Sequence, residues 1–181
     1  MTADPDFTEL RTDRLVIRRF RVEDVDAFVA YRSDPDVARY QSWVAFTRAK
    51  AETFVREIAS LDPGMPGEWF QFAVAVHAND ALIGDTAFCV DRADPSRGEI
   101  GFTFAPVHQG KGYATEAVRA TIDYAFDTLG VAVVVGVTDA RNTASIALLE
   151  RIGMTRLSTA HVEFKGGWCD EHTFELRRGL R

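Results

Sequence analysis

The stretch from Glu99 to Leu129 constrains this chain more than any other. It reads Glu99-Ile100-Gly101-Phe102-Thr103-Phe104, then Ala105-Pro106-Val107-His108, then Gln109-Gly110-Lys111-Gly112-Tyr113-Ala114, and then a long amphipathic run. Aromatic and β-branched content predicts a strand for the first piece, and Pro106 stops it. In the last piece Ala114, Val118, Ile122, Ala125, Phe126 and Leu129 recur at helical spacing. A helix N-terminus presents unpaired N–H groups and the positive end of the peptide dipoles. A strand, a glycine loop and a helix start therefore predict a site for a phosphate or pyrophosphate. The run is no P-loop, because it lacks the Gly-Lys-Ser/Thr ending. A dinucleotide fingerprint would need a third glycine where Thr115 stands.

Around this stretch the chain reads as one mixed α/β (α+β) domain over residues 1–181, with about 1–9 as a flexible tail. Leu15 to Phe20 predicts a strand. Val22 to Arg32 carries Val25, Phe28 and Val29 at helical spacing, with Glu23 and Asp24 in the first turn, and Ser33-Asp34-Pro35 ends it. Thr47 to Leu61 predicts a second helix, striped by Ala51, Phe54, Val55 and Ile58. Trp69 to His77, Leu82 to Val90 and the Glu99 strand are joined by short turns, which predicts an antiparallel meander. Val131 to Val137 is too apolar for an edge strand. A helix leads into it from the Glu99 strand, so the two should be parallel neighbours. Asn142 to Ile152 predicts a helix capped near Asn142 and closed by Gly153. Met154 to Phe164 and Trp168 to Leu176 form a final hairpin across Lys165-Gly166-Gly167, giving a mixed sheet of about seven strands flanked by helices.

Charge and composition narrow the partners. A net charge of −6 argues against a nucleic-acid binder that relies on backbone electrostatics, and suits a cationic substrate such as an amine. No apolar run is long enough to span a bilayer. The acidic start Met1-Thr2-Ala3-Asp4-Pro5-Asp6 has no hydrophobic signal segment, which predicts a cytoplasmic location. Cys89 and Cys169 lack C-x-x-C spacing and read as free thiols. His77, His108, His161 and His172 show no zinc spacing with them, so no metal is implied. The sequence leaves monomer and homodimer both open.

The loop resembles the Gln/Arg-x-x-Gly-x-Gly/Ala signature of the Gcn5-related N-acetyltransferases (GNAT), with Gln109, Gly112 and Ala114 at its three defined positions. The block from Asp139 to Met154 is similar to a second recurrent motif of that family, and Asn142 matches its asparagine. The opening Leu10 to Arg18 and the tail Phe164 to Glu171 resemble the ribosomal-protein N-terminal acetyltransferase branch, the RimJ and RimL kind. The resemblance implies acetyl-coenzyme A as cofactor, its pyrophosphate held by the backbone of Gln109, Gly110, Lys111, Gly112, Tyr113 and Ala114. It also implies that Asn142 touches the pantetheine arm and that amides of Phe102, Thr103 and Phe104 act as oxyanion donors. Many relatives carry a tyrosine general acid where this chain has Leu149, which leaves Ser145 as the nearest hydroxyl, one helical turn from Asn142.

The chemistry sets further demands. A primary amine must lose a proton before attacking a thioester, since amine pKa values run from ~8 to ~10. A base is therefore expected near the gap between the Glu99 strand and Val131–Val137, and Glu99 starts the strand in about the right place. Glu99 and Ser145 are thus the catalytic candidates; the alternatives are a solvated strand-end acid and a helix serine bonding its own backbone. The acceptor is expected against Trp43, Phe46 and the Val22–Leu61 helices. The readings are an N-acetyltransferase acting on a primary amine, such as a protein N-terminus; the same chemistry on an aminoglycoside or polyamine; or a non-catalytic acyl-coenzyme A binding domain.

Overall fold

The computed structural model describes residues 3–43 and 46–179. Its strands are β1 (Glu9–Arg11), β2 (Leu15–Arg18), β3 (Trp69–Val76), β4 (Leu82–Val90), β5 (Arg97–Phe104), β6 (Val133–Asp139), β7 (Thr155–Phe164) and β8 (Gly167–Arg177). They lie in one eight-stranded sheet, in the order β1-β2-β3-β4-β5-β6-β8-β7. The α-helices are α1 (Val25–Arg32), α2 (Pro35–Ala38), α3 (Arg48–Ile58), α4 (Tyr113–Asp127) and α5 (Thr143–Arg151). Neighbouring strands are antiparallel except β5 and β6, which run parallel. The expected meander is β3–β4–β5, and β6 is interior, as its β-branched run implied.

The strand beyond the expected seven is β1, and with it the expected tail is corrected for residues 3–9. Glu9 pairs with Arg18 and Leu10 with Ile17. Phe7 is buried and meets the rings of Phe70 and Phe72 edge-on at 5.9 and 5.2 Å. The Asp4 N–H donates to Pro63 O at 2.8 Å, and the Tyr124 hydroxyl donates to Asp4 Oδ2 at 2.7 Å. One buried phenylalanine stabilises by roughly 1.5–3 kcal/mol relative to leaving it in water, enough to tie down a short segment.

The two faces of the sheet carry separate cores. On one face α4 buries Ala117, Val118, Ile122, Ala125 and Phe126 against Phe72, Ile83, Phe88, Ile100 and Phe104, with Leu148 and Leu149 of α5 in the same cluster. On the other face α1 and α3 bury Val25, Phe28, Tyr31, Ala51, Val55 and Ile58 against Ala73 and Leu82. Alternation along β5 sends Ile100 and Phe104 to the α4 side and Glu99, Gly101 and Thr103 to the other. No helix among the described residues is long and apolar enough to cross a membrane.

Candidate active site at the parting of two strands

The β5–β6 ladder is short. Arg97 pairs with Val133, Gly98 with Val134 and Glu99 with Val135, and no pairing follows. Beyond that rung β5 stays on β4 as far as Phe104, while β6 stays on β8 as far as Asp139. The sheet therefore opens between them, and backbone groups on the inner side of β5 are left for a ligand. The Ala105 N–H donates to Ile83 O of the β4 side at 3.0 Å. Strand alternation then turns the Thr103 amide toward β4 and the amides of Phe102 and Phe104 toward the opening. Of the expected oxyanion donors, Thr103 is thus directed elsewhere.

The glycine loop lies at the C-terminal end of β5. Gly110 and Gly112 have φ of +72° and +82°, a left-handed geometry that glycine adopts without strain. Gln109 differs from expectation, because its own N–H already donates to Pro106 O at 3.1 Å and its side chain donates to Phe104 O at 2.9 Å. It braces the loop instead of lending an amide. The N–H groups of Gly110, Lys111, Gly112, Tyr113 and Ala114 find no acceptor among the described residues. With the α4 dipole behind them they form a concave donor set that fits a pyrophosphate.

On the far side of the opening, β6 leads into α5. Asn142 is the N-cap, and its Oδ1 accepts from the Ser145 N–H at 3.2 Å. The cap uses the carboxamide oxygen only, so the NH2 group remains a donor. Ser145 is half-buried, and its hydroxyl has no partner among the described residues. Thr121 of α4, by contrast, bonds its own helix at Ala117 O over 3.0 Å. Leu149, at the family tyrosine position, is buried and packs over Gly136, where an added Cβ would come within 3.0 Å of Leu149 Cδ2.

Glu99 occupies the last rung, five residues or about 17 Å along β5 from Phe104. Burial pushes its carboxyl pKa upward, and the negative charge of Glu171 on β8 adds to the rise. Its row across the sheet includes Trp69 and Cys89, and Trp69 is 43% exposed. A Cβ added at Gly101 would meet Ala87 Cβ at 3.6 Å and Trp69 Cζ3 at 3.7 Å, both ordinary contacts, so the indole lies beside Gly101 without depending on the missing side chain. Burial also raises the thiol pKa of Cys89, with the Glu99 charge next in effect, and burial raises that of Cys169 too.

The aromatic wall expected to meet the acceptor has another task. Trp43, Phe28, Phe46 and Phe54 surround the Arg32 guanidinium at 4.1, 4.5, 5.3 and 5.6 Å. Arg32 in turn reaches fully buried Asp85 at 3.1 Å, which also accepts from Tyr31 and Gln71. Lys165, in the β7–β8 turn, donates to Ala38 O and Trp43 O, both at 2.7 Å. The hairpin tip is thereby clipped to the α2–α3 connection.

The profile of the acetyltransferase (GNAT) domain matches residues 14–155. An uncharacterized N-acetyltransferase, p20 of Bacillus licheniformis, is 32% identical over 170 residues, covering 92% of this chain and 94% of that one. The crystal structure of a GNAT-family acetyltransferase from Bacillus anthracis superposes with a TM-score of 0.82 at 28% identity, covering 94% of this chain and 98% of that one. A ribosomal-protein-S5-alanine acetyltransferase from Vibrio fischeri shares the fold, with a TM-score of 0.81 at 19% identity over 96% of this chain and 98% of that one.

Proposed function

The chain belongs to the GNAT acetyltransferase family, an acyltransferase family that uses acetyl-coenzyme A, and from that premise we propose that it acetylates a protein N-terminal α-amine by direct transfer. The observation that carries this reading is the ladder that stops at Glu99, with unpaired backbone donors on one side of the opening and a basic carboxylate at its apex. Acetyl-coenzyme A supplies the acetyl thioester. The amides of Gly110 to Ala114 bind its pyrophosphate, and the Asn142 NH2 group donates to the arm that follows. The amide of Phe102 faces the oxygen of the reacting carbonyl, and that of Phe104, two residues or about 7 Å further along β5, faces the cofactor arm.

Glu99 takes the proton from the ammonium, directly or through one water, and its raised pKa makes it a stronger base than an exposed carboxylate. The amine nitrogen then bonds to the acetyl carbon, the carbon–sulfur bond breaks, and the Ser145 hydroxyl hands a proton to the departing sulfur and regains one through water from the nitrogen, which becomes the neutral amide. Raised thiol pKa values at Cys89 and Cys169 disfavour a thiolate nucleophile and support transfer without an acetyl-cysteine step. The protein N-terminus is favoured by the RimJ/RimL-like serine at position 145 and by the activity named for the Vibrio fischeri neighbour. A cytoplasmic setting, where acetyl-coenzyme A and new N-termini meet, suits this reading.

The test is acetyl-coenzyme A-dependent thiol release over a panel of N-terminal peptides, polyamines and aminoglycosides. Turnover is expected with peptides. Turnover only with the small amines would replace the acceptor, and no turnover by folded protein that binds coenzyme A would make this a binding domain.

A further inference from the structure

We propose that Arg14, in the β1–β2 turn, is a second anion-holding group for the cofactor pyrophosphate, delivered to the glycine loop by Glu116. The inference rests on the pyrophosphate lying on the Gly110–Ala114 amides. Arg14 is remote from that loop in sequence, yet its Nη1 donates to Lys111 O at 3.0 Å. An added Cβ on Gly112 would come within 3.3 Å of Arg14 Nη2. The guanidinium lies over the Tyr113 ring at 4.6 Å.

Glu116, one turn into α4, fixes this geometry. Its Oε2 accepts from Arg14 Nε at 2.7 Å and lies 2.6 Å from Nη2, while its Oε1 accepts from the Arg14 backbone N–H at 3.0 Å and the Thr12 hydroxyl at 2.6 Å. Burial alone would raise the Glu116 pKa, but these bonds outweigh it and hold the carboxyl below its ordinary range. The turn is therefore keyed to the helix by a carboxylate that stays ionised.

An arginine has five N–H donors in a planar fork. Glu116 and Lys111 engage three of them, which leaves one N–H on each terminal nitrogen beside Gly112. Stacking on Tyr113 and the two ties to Glu116 restrict the plane, so little side-chain freedom is lost when an anion arrives. Because Glu116 balances the charge, the gain comes from placed donors more than from net attraction. The arrangement also stabilises the loop itself, since it ties Lys111 O to the β1–β2 turn.

The experiment compares wild type, Arg14→Gln and Arg14→Lys by calorimetry with coenzyme A, 3′-dephospho-coenzyme A and pantetheine, with thermal melts as a folding control. Arg14→Gln should weaken coenzyme A and 3′-dephospho-coenzyme A alike, by about ten- to a hundredfold, the size expected for one charge-assisted hydrogen bond. Pantetheine, which lacks the pyrophosphate, should bind both proteins equally, and Arg14→Lys should recover only part of the loss. Equal losses for all three ligands would overturn the inference, because Arg14 would then act through the fold. A loss confined to coenzyme A would overturn it as well, by moving Arg14 to the 3′-phosphate. Unchanged affinity in a folded variant would leave Arg14 a structural tie. Gly112→Val separates the two levels: if it too leaves affinity unchanged, the loop assignment fails and not the arginine alone.

Discussion

Glu99 and Val135 form the last rung between β5 and β6, so the carboxylate sits where the sheet stops being continuous. A half-buried carboxylate at that point is the proposed base and also a local liability, and the two properties can be measured apart.

Glu99→Gln keeps the shape and removes the basic function. Turnover at neutral pH should fall by about two to four powers of ten, the usual range for a general base, and recover partly at high pH as free amine accumulates. Stability should move the other way. The folded-state pKa of Glu99 is raised above its unfolded value, so its contribution is fully present below the unfolded value near ~4.3 and is lost as pH rises through the folded value. Glu99→Gln should therefore melt higher than wild type at pH 7 and no higher at pH 3. Equal pH–rate profiles would return Glu99 to a structural acid.

Ser145→Ala tests the proton donor. Coenzyme A is a fair leaving group, with a thiol near the ordinary ~8.5, so a donor helps without being indispensable. Turnover should drop by about one to three powers of ten, with a much smaller change in acetyl-coenzyme A affinity. A loss of affinity in step with rate would make Ser145 a binding residue.

Asn142 caps α5 with its carboxamide oxygen and, in the proposed function, binds the cofactor with its NH2 group; two substitutions separate these. Asn142→Ala removes the cap on the Ser145 N–H and should cost about 1 kcal/mol of stability. Asn142→Asp keeps a capping oxygen but loses the NH2 donor. It should melt like wild type and bind acetyl-coenzyme A more weakly. Unchanged affinity would leave Asn142 a cap and nothing more.

Gly110 and Gly112 share left-handed backbone geometry but differ in surroundings. Nothing lies within 4 Å of a Cβ added at Gly110, whereas at Gly112 it enters the space beside Arg14. Gly110→Ala should cost about 1–2 kcal/mol of stability with little change in affinity. Gly112→Val should weaken acetyl-coenzyme A by about tenfold or more on calorimetry, since the side chain stands where the phosphate must approach.

Much of this was legible in the chain. Strand alternation and helical spacing placed the meander, α4 and the terminal hairpin, because those elements bury one face each and their residues say so locally. The docking of residues 3–9 was not legible, since Phe7 is held by Phe70 and Phe72, far along the chain. Neither was Arg14, which reads as a surface arginine because its carboxylate partner stands 102 positions later. The family resemblance makes donors of Gln109 and Thr103; hydrogen-bond direction, which a motif does not encode, assigns their amides to Pro106 and the β4 side. Trp43 and Phe46 were legible as aromatic but not as the enclosure of Arg32.

The alternation along β5 has a consequence for descent. Side chains at even positions belong to the α4 core, while Glu99, its row-mate Trp69, Gly101 and, on β6, Val137 face the opposite side. A lineage can therefore drift at Trp69 and Val137, or at Glu171 nearby, without disturbing Phe88, Ile100 or Phe126. In the proposed function the acceptor meets this face beside Glu99, so acceptor preference and folding robustness become separately heritable. Paralogues should differ in odd-numbered residues of this face while the even-numbered ones stay interchangeable between them, so that transplanting one face onto another relative's core yields a folded protein with the donor's taste in amines.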